Sequence, residues 1–306
     1  MLVVGFGFLA LLLAATALAA ARHLPKDKGR TSVAPARWPQ RGQGAFVIGN
    51  GRPTASPHQQ PVAIASLAKV MTAYLTLKRY PLSDAQDGFT ITVGATDAQV
   101  AAEAAAQAQS VVAVRPGEQL TERQLLEALL IPSGNNVAQM LAGLVSGSET
   151  GFVADMNAEA RTLGMDHTIY TDPSGFDPGT VSTAADQLRV FQRAMRFPVF
   201  RQIVSMASVT LPVAGTLTNY NPLIAEGYAG KTGSDSAAGG CLAFFTRVRV
   251  SGHPKTAAGV VMGQGEGSNT KAILTAAGEA AEQMVASVVP VDGARTTTAP
   301  GAPVGQ

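Results

Sequence analysis

The sequence predicts an α+β fold: an antiparallel sheet packed with helices, joined to a mostly helical subregion. Two observations carry this expectation. Elements are segregated along the chain, with one early strand, a helical middle, a β-rich stretch and a closing helix. The composition sets the scale. At 306 residues, 46% hydrophobic and 14% charged, the chain suffices for a sizeable core and is too apolar to stay disordered.

Leu2 to Ala21 form an uncharged stretch of 20 residues, enough to cross about 30 Å of hydrocarbon as a helix. Ala17-Leu18-Ala19 and Ala19-Ala20-Ala21 both suit a small-x-small cleavage site, so residues 1–21 read as a transmembrane anchor or a signal segment. The positive residues Arg22, Lys26, Lys28 and Arg30 follow the segment, which by the positive-inside rule alone would keep the domain in the cytoplasm. A basic start lost upstream accounts for the same pattern, and export to the extracytoplasmic face is the expectation. Residues 22–43, rich in Pro, Gly, Arg and Gln, read as a linker. The folded domain is expected over 44–288. Residues 289–306, dominated by Thr, Ala, Pro and Gly, read as a disordered tail.

Within the domain, Ala45 to Ile48 is the first strand and Gly49-Asn50-Gly51 its turn. A helix starts near Ser66 and stops before Pro81, with Leu67, Val70, Met71, Tyr74 and Leu75 at helical spacing. Thr121-x-x-Gln124 has the form of a capping box and opens a helix ending near Pro132. Further helices are expected over about 135–146, 149–163 and 183–196, the last capped by Ser182. Four apolar runs then read as consecutive antiparallel strands: Ala207 to Val213, Tyr228 to Thr232, Cys241 to Val250 and Ala257 to Met262. A helix over about 269–287 closes the domain.

Charge and composition exclude several classes. Net charge is +2 and the basic residues are scattered singly, which argues against a nucleic-acid partner. One cysteine, Cys241, permits no intrachain disulfide; within an apolar run it reads as a small buried residue. His23, His58, His167 and His253 lack metal-ligand spacing, so neither a metal nor a cofactor is expected.

Three short motifs, 67 and 98 residues apart, carry the chemistry: Ser66-Leu67-Ala68-Lys69, Ser133-Gly134-Asn135 and Lys231-Thr232-Gly233. Ser66 and Lys69, three apart on a helix, share one face. A serine hydroxyl needs a base, and an ammonium is not one; Lys69 must lose its proton through desolvation or a neighbouring cation, and Lys231 is the candidate cation. Lys69 is the lone charge between Val62 and Leu77. Ser133 is suited to relay a proton to a leaving amine, and Asn135 to bond a substrate amide. Lys231 and Thr232 at a strand end suit a carboxylate, Gly233 leaves room for substrate to approach, and the strand edge suits an extended peptide.

The run P-V-A-I-A-S-L-A-K-V-M-T-A from Pro61 to Ala73 resembles the nucleophile segment of serine-type D-alanyl-D-alanine carboxypeptidases, the low-molecular-mass penicillin-binding proteins. Leu125 to Leu141, Phe152 to Met165, Ser182 to Asp186 and Ala229 to Gly240 are similar to the same family, so the likeness spans about 44–288. It implies a β-lactamase/transpeptidase-like fold. It also implies attack by Ser66 on the bond between two D-alanines of a peptidoglycan stem peptide, Lys69 as general base, and Ser133 with Lys231 passing a proton to the leaving D-alanine. Backbone N–H groups of Ser66 and Ser234 would form the oxyanion hole, and β-lactams would acylate the same serine. The implied partners are stem peptides, β-lactams as covalent inhibitors, and a membrane through residues 2–21 if these are uncleaved.

The chain departs from the family pattern in places. Met262 to Asn269 lacks the arginine that helps the family bind a terminal carboxylate, and Lys271 is the nearest cation. Asn136-Val137 replaces a common acidic residue and alanine, with little effect expected. Three alternatives stay open: a D,D-endopeptidase, a class A-like β-lactamase, and a non-catalytic peptide-binding module. The second is disfavoured because Tyr170 to Val181 contains no glutamate, the third because a binder needs no nucleophile.

Overall fold

The computed structural model describes residues 36–289. The segment 1–21, most of the expected linker and the tail after 289 lie outside the described residues. Among those described, no helix is long and apolar enough to cross a membrane.

The main sheet has five strands: β1 Gln43–Ile48, β2 Thr54–Ala55, β9 Ala229–Asp235, β10 Gly239–Val250 and β11 His253–Gln264. Their order is β2-β1-β11-β10-β9, and every neighbouring pair is antiparallel. The turn Ser251-Gly252 joins β10 to β11 with φ of 51° and 77°. Two positive φ values match the twist of a two-residue hairpin, which suits glycine at the second position. The other strands are short and pair outside this sheet: β3 Val62–Ala63 with β6 Val181–Ser182, β4 Thr90–Thr92 with β5 Gln119–Thr121, and β7 Ser208–Leu211 with β8 Gly215–Thr218.

Both faces of the sheet are covered, and the sequence of β10 shows why. Alternate residues of a strand point to opposite faces. Leu242 and Phe244 join Val261 and the helix residues Ala277, Ala281 and Met284 in one apolar cluster. Cys241 and Ala243 face the larger core on the other side, with Val260 and Met262. The first cluster belongs to helix α8, Thr270–Val288, which packs on β9, β10 and β11. Across the sheet, α6 Ala184–Ala194 packs on β1 and β11. Cys241 is fully buried, and burial pushes its thiol up to about 12, so it is a packing residue, as expected. Trp38 packs at a tilt on Phe46, ring centroids 5.6 Å apart, and the Arg37 N–H donates to Ser287 Oγ, so this segment lies against the domain.

The helical subregion contains α1 Lys69–Arg79, α2 Ala95–Ala106, α3 Glu122–Leu130, α4 Asn135–Ser146 and α5 Glu149–Thr162, and α7 Pro198–Val204 follows α6. The capping box of α3 forms as read: Thr121 Oγ1 accepts from the Gln124 N–H at 3.2 Å, and Gln124 Oε1 accepts from the Thr121 N–H at 2.9 Å. Such a cap contributes about 1 kcal/mol.

Several details differ from the reading. The cap of α6 is Thr183, whose hydroxyl accepts from the Asp186 N–H at 3.1 Å, whereas Ser182 is paired in β6. Ala207 to Val213 does not join the main sheet; it folds back on residues 215–218 as a separate hairpin. Lys231-Thr232-Gly233 does not end its strand. The motif lies inside β9, opposite Ala243, Leu242 and Cys241 of β10. β9 is the outermost strand of the sheet, so its far side carries backbone groups that no strand among the described residues pairs.

Candidate active site

A 3₁₀ turn, Ala65–Ala68, presents Ser66 and leads straight into α1, which begins at Lys69. Ala65 has φ of 45°, a strained conformation for a residue with a side chain. It is held from two sides. Gly175 lies against it so closely that a Cβ there would sit 1.8 Å from the Ala65 carbonyl oxygen. Strand β9 closes from the other side, where a Cβ on Gly233 would meet Ile64 O at 2.8 Å and Leu67 N at 3.0 Å. Gly233 therefore lets β9 reach the turn that carries Ser66, a packing reason that the sequence reading, which gave it to the substrate, did not contain.

The structure brings the three motifs together. Lys69 Nζ is fully buried, 2.8 Å from Ser66 Oγ, 2.6 Å from Asn135 Oδ1 and 2.9 Å from the Ser174 carbonyl oxygen. A neutral amine has two N–H groups and one lone pair. Lys69 Nζ donates to all three oxygens in this arrangement; in its neutral form it keeps two N–H groups for Asn135 Oδ1 and Ser174 O, which only accept, and its lone pair then faces the Ser66 hydroxyl. Burial, and secondly the nearby Lys231, lower the Lys69 pKa well below its ordinary value, while Asp172 works in the opposite direction. Lys231 Nζ is also fully buried; it donates to Ser133 Oγ at 2.9 Å and to Thr232 O at 2.8 Å, and burial lowers its pKa to about 7. Ser133 sits at φ 65°, between α3 and α4, which turns its hydroxyl toward Lys231.

These groups border a cleft of about 420 Å³. Ser66, Ser133, Asn135, Thr232, Gly233 and Ser234 all line it, whereas Lys69 and Lys231 lie beneath. Thr270, at the start of α8, and Asp235 also line the cleft, and none of Met262 to Asn269, where the sequence lacks an arginine, does. Lys271 is exposed and does not line it.

Three contributors were not read from the sequence. Asp172 organises the loop between β6 and α5 by accepting from the N–H groups of Ser174, Gly175 and Phe176 and from the hydroxyls of Ser174 and Thr180. That loop aims Ser174 O at Lys69. Its Asp-Pro-Ser-Gly run carries the turn chemistry that could have flagged it. Asn136, expected to matter little, is completely buried and bonds both the N–H and the carbonyl of Val112, at 3.0 and 2.9 Å. Gln109 Oε1 accepts from Asn135 Nδ2 at 2.7 Å.

Comparison with known proteins now decides the family. Residues 54–265 match the S11 peptidases, described as D-alanyl-D-alanine carboxypeptidase. The chain belongs to this family. Among its relatives, the D-alanyl-D-alanine carboxypeptidase DacB2 of Mycobacterium tuberculosis is 38% identical over 183 residues, which cover 57% of this chain and 58% of that protein. A D-alanyl-D-alanine endopeptidase of Pseudomonas aeruginosa is 32% identical over 203 residues, 62% of this chain and 61% of that protein. The matches thus span about three-fifths of these relatives. The Streptomyces K15 DD-transpeptidase structure has a TM-score of 0.68 at 24% identity, covering 82% of this chain and 98% of that one. A penicillin-binding protein homologue from Mycobacterium tuberculosis has a TM-score of 0.62 at 29% identity, covering 82% and 95%. The α+β architecture read from the sequence is therefore the penicillin-binding fold of this S11 chain.

Proposed function

We propose that this protein is a serine D,D-carboxypeptidase that removes the terminal D-alanine from peptidoglycan stem peptides through an acyl-enzyme on Ser66. One observation carries the reading: the buried Lys69 Nζ lies 2.8 Å from Ser66 Oγ, where burial and Lys231 lower its pKa and favour the neutral form that can take the serine proton. In this reading Lys69 takes the Ser66 proton as Oγ attacks the carbonyl between two D-alanines. The oxyanion is held by the backbone N–H groups of Ser66 and Ser234. Lys231 passes a proton through Ser133 to the departing amine, a relay suited to an amine whose pKa is about 7. Asn135 donates to a substrate amide, Thr232 bonds the terminal carboxylate, and the unpaired side of β9 receives the extended peptide. Water then releases the acyl group. β-Lactams acylate the same serine, and the protein acts outside the cytoplasm, delivered or tethered by residues 2–21.

Incubation with a peptide ending in D-Ala-D-Ala tests this directly. One equivalent of free D-alanine per peptide is expected, abolished by Ser66→Ala. Absence of D-alanine release from a folded protein would count against the activity. Because one relative is an endopeptidase, the same assay with cross-linked muropeptide dimers decides between the two D,D-peptidases: faster cleavage of the dimer selects the endopeptidase. A β-lactamase is disfavoured, since residues 170–181 hold no glutamate and the carboxylate of Asp172 accepts from five donors of its own loop.

A further inference from the structure

Asn135 holds its carboxamide between two partners. Oδ1 accepts from Lys69 Nζ, and Nδ2 donates to Gln109 Oε1 at 2.7 Å. Gln109 is itself oriented, because its Nε2 donates to Gln107 Oε1 at 2.9 Å, which turns Oε1 toward the site. Both Gln109 and Asn135 line the cleft. The backbone carrying Gln109 is fixed on its C-terminal side: Ser110 O accepts from the Asn135 N–H at 2.7 Å, and Asn136 bonds both backbone groups of Val112. The side chain has no such restraint beyond Gln107, and it is half-buried at the cleft wall.

The Gln109 carboxamide oxygen accepts from Asn135 Nδ2 as the carbonyl oxygen of a peptide amide would. We infer that Gln109 is a specificity-determining residue: its Oε1 occupies, in the free protein, the position on Asn135 Nδ2 that the amide carbonyl of the acyl donor takes, so a substrate must displace the Gln109 carboxamide to bind. This rests on the reading of Asn135 as a substrate-binding residue. The consequence is selective. Acyl donors that present an amide carbonyl next to the reacting carbonyl compete with Gln109; donors that lack one do not.

The test compares acylation rates of Ser66 by two β-lactams, followed by intact mass. Penicillin G carries an acylamino carbonyl beside its ring; imipenem carries a hydroxyethyl group instead. For Gln109→Ala we expect the second-order rate with penicillin G to rise roughly threefold to tenfold, with the imipenem rate changed less than twofold. Gln109→Asn, one methylene too short to reach Asn135, is expected to behave as Gln109→Ala does. A purely structural role would move both rates together. Equal changes with the two drugs, no change, or a selective fall with penicillin G would each overturn the inference while leaving the active-site reading standing. Failure of the unaltered protein to be acylated by either drug would overturn that reading and this inference with it.

Discussion

Replacing Lys69 with alanine is expected to slow acylation of Ser66 by penicillin by roughly 10²–10⁴-fold, the range that a positioned general base supplies. Lys69→Met, which nearly keeps the side-chain volume, is expected to lose as much, with circular dichroism confirming the fold in both. The pH dependence sharpens the prediction. Only the neutral amine accepts the Ser66 proton, so the rate rises as pH rises through the Lys69 pKa, and it falls again as Lys231, whose pKa is about 7, loses the proton it relays. Burial and the neighbouring Lys231 place that rise well below 10.5, the ordinary value for lysine. Both variants should lose this ascending limb. A rise in the ordinary lysine range in the unaltered protein, or near-normal acylation by Lys69→Met, would remove Lys69 as the base.

Asp172→Ala is the second large effect. The carboxylate accepts five hydrogen bonds, from three backbone N–H groups and two hydroxyls, all within residues 174–180. Hydrogen bonds to a charged group contribute about 1.5–3 kcal/mol each, but loop relaxation and water recover part of that for the exposed donors. We expect a loss of about 2–4 kcal/mol in denaturant unfolding. Acylation should fall as well, by at least about tenfold, because Ser174 O no longer fixes Lys69. The ascending limb of the residual activity should lie at lower pH than in the unaltered protein, since removing the Asp172 charge removes an influence that raises the Lys69 pKa. Unchanged stability would show that the loop is held by other contacts.

What the sequence made legible follows from where the information resides. The helices α1, α3, α4, α5, α6 and α8 were readable because each buries an apolar stripe or carries a cap that local residues encode. Helix α2 is not legible in the sequence, because it buries only Ala101 and Ala104, too little to give a periodic signal. The hairpin of β7 and β8 was read as one main-sheet strand because alternation marks a strand but not its partner. At the site, Ser66, Lys69, Ser133, Asn135, Lys231, Thr232 and Gly233 stand out through residue type and spacing, whereas Ser234 enters only through the family resemblance. The missing groups lack such a mark. Ser174 contributes a backbone carbonyl, which every residue has. Gln109 and Asp172 act by bonding partners whose proximity the fold alone creates. Gly233 was found, but its closest constraint is the approach of β9 to residues 64–67, a fact of packing.

The account stands most directly on the mass of the protein after incubation with penicillin G, followed by peptide mapping. One covalent adduct of the intact drug, located on Ser66 and absent from Ser66→Ala, is the predicted result. A folded protein that gains no mass, or one labelled equally well when Ser66 is alanine, would contradict it.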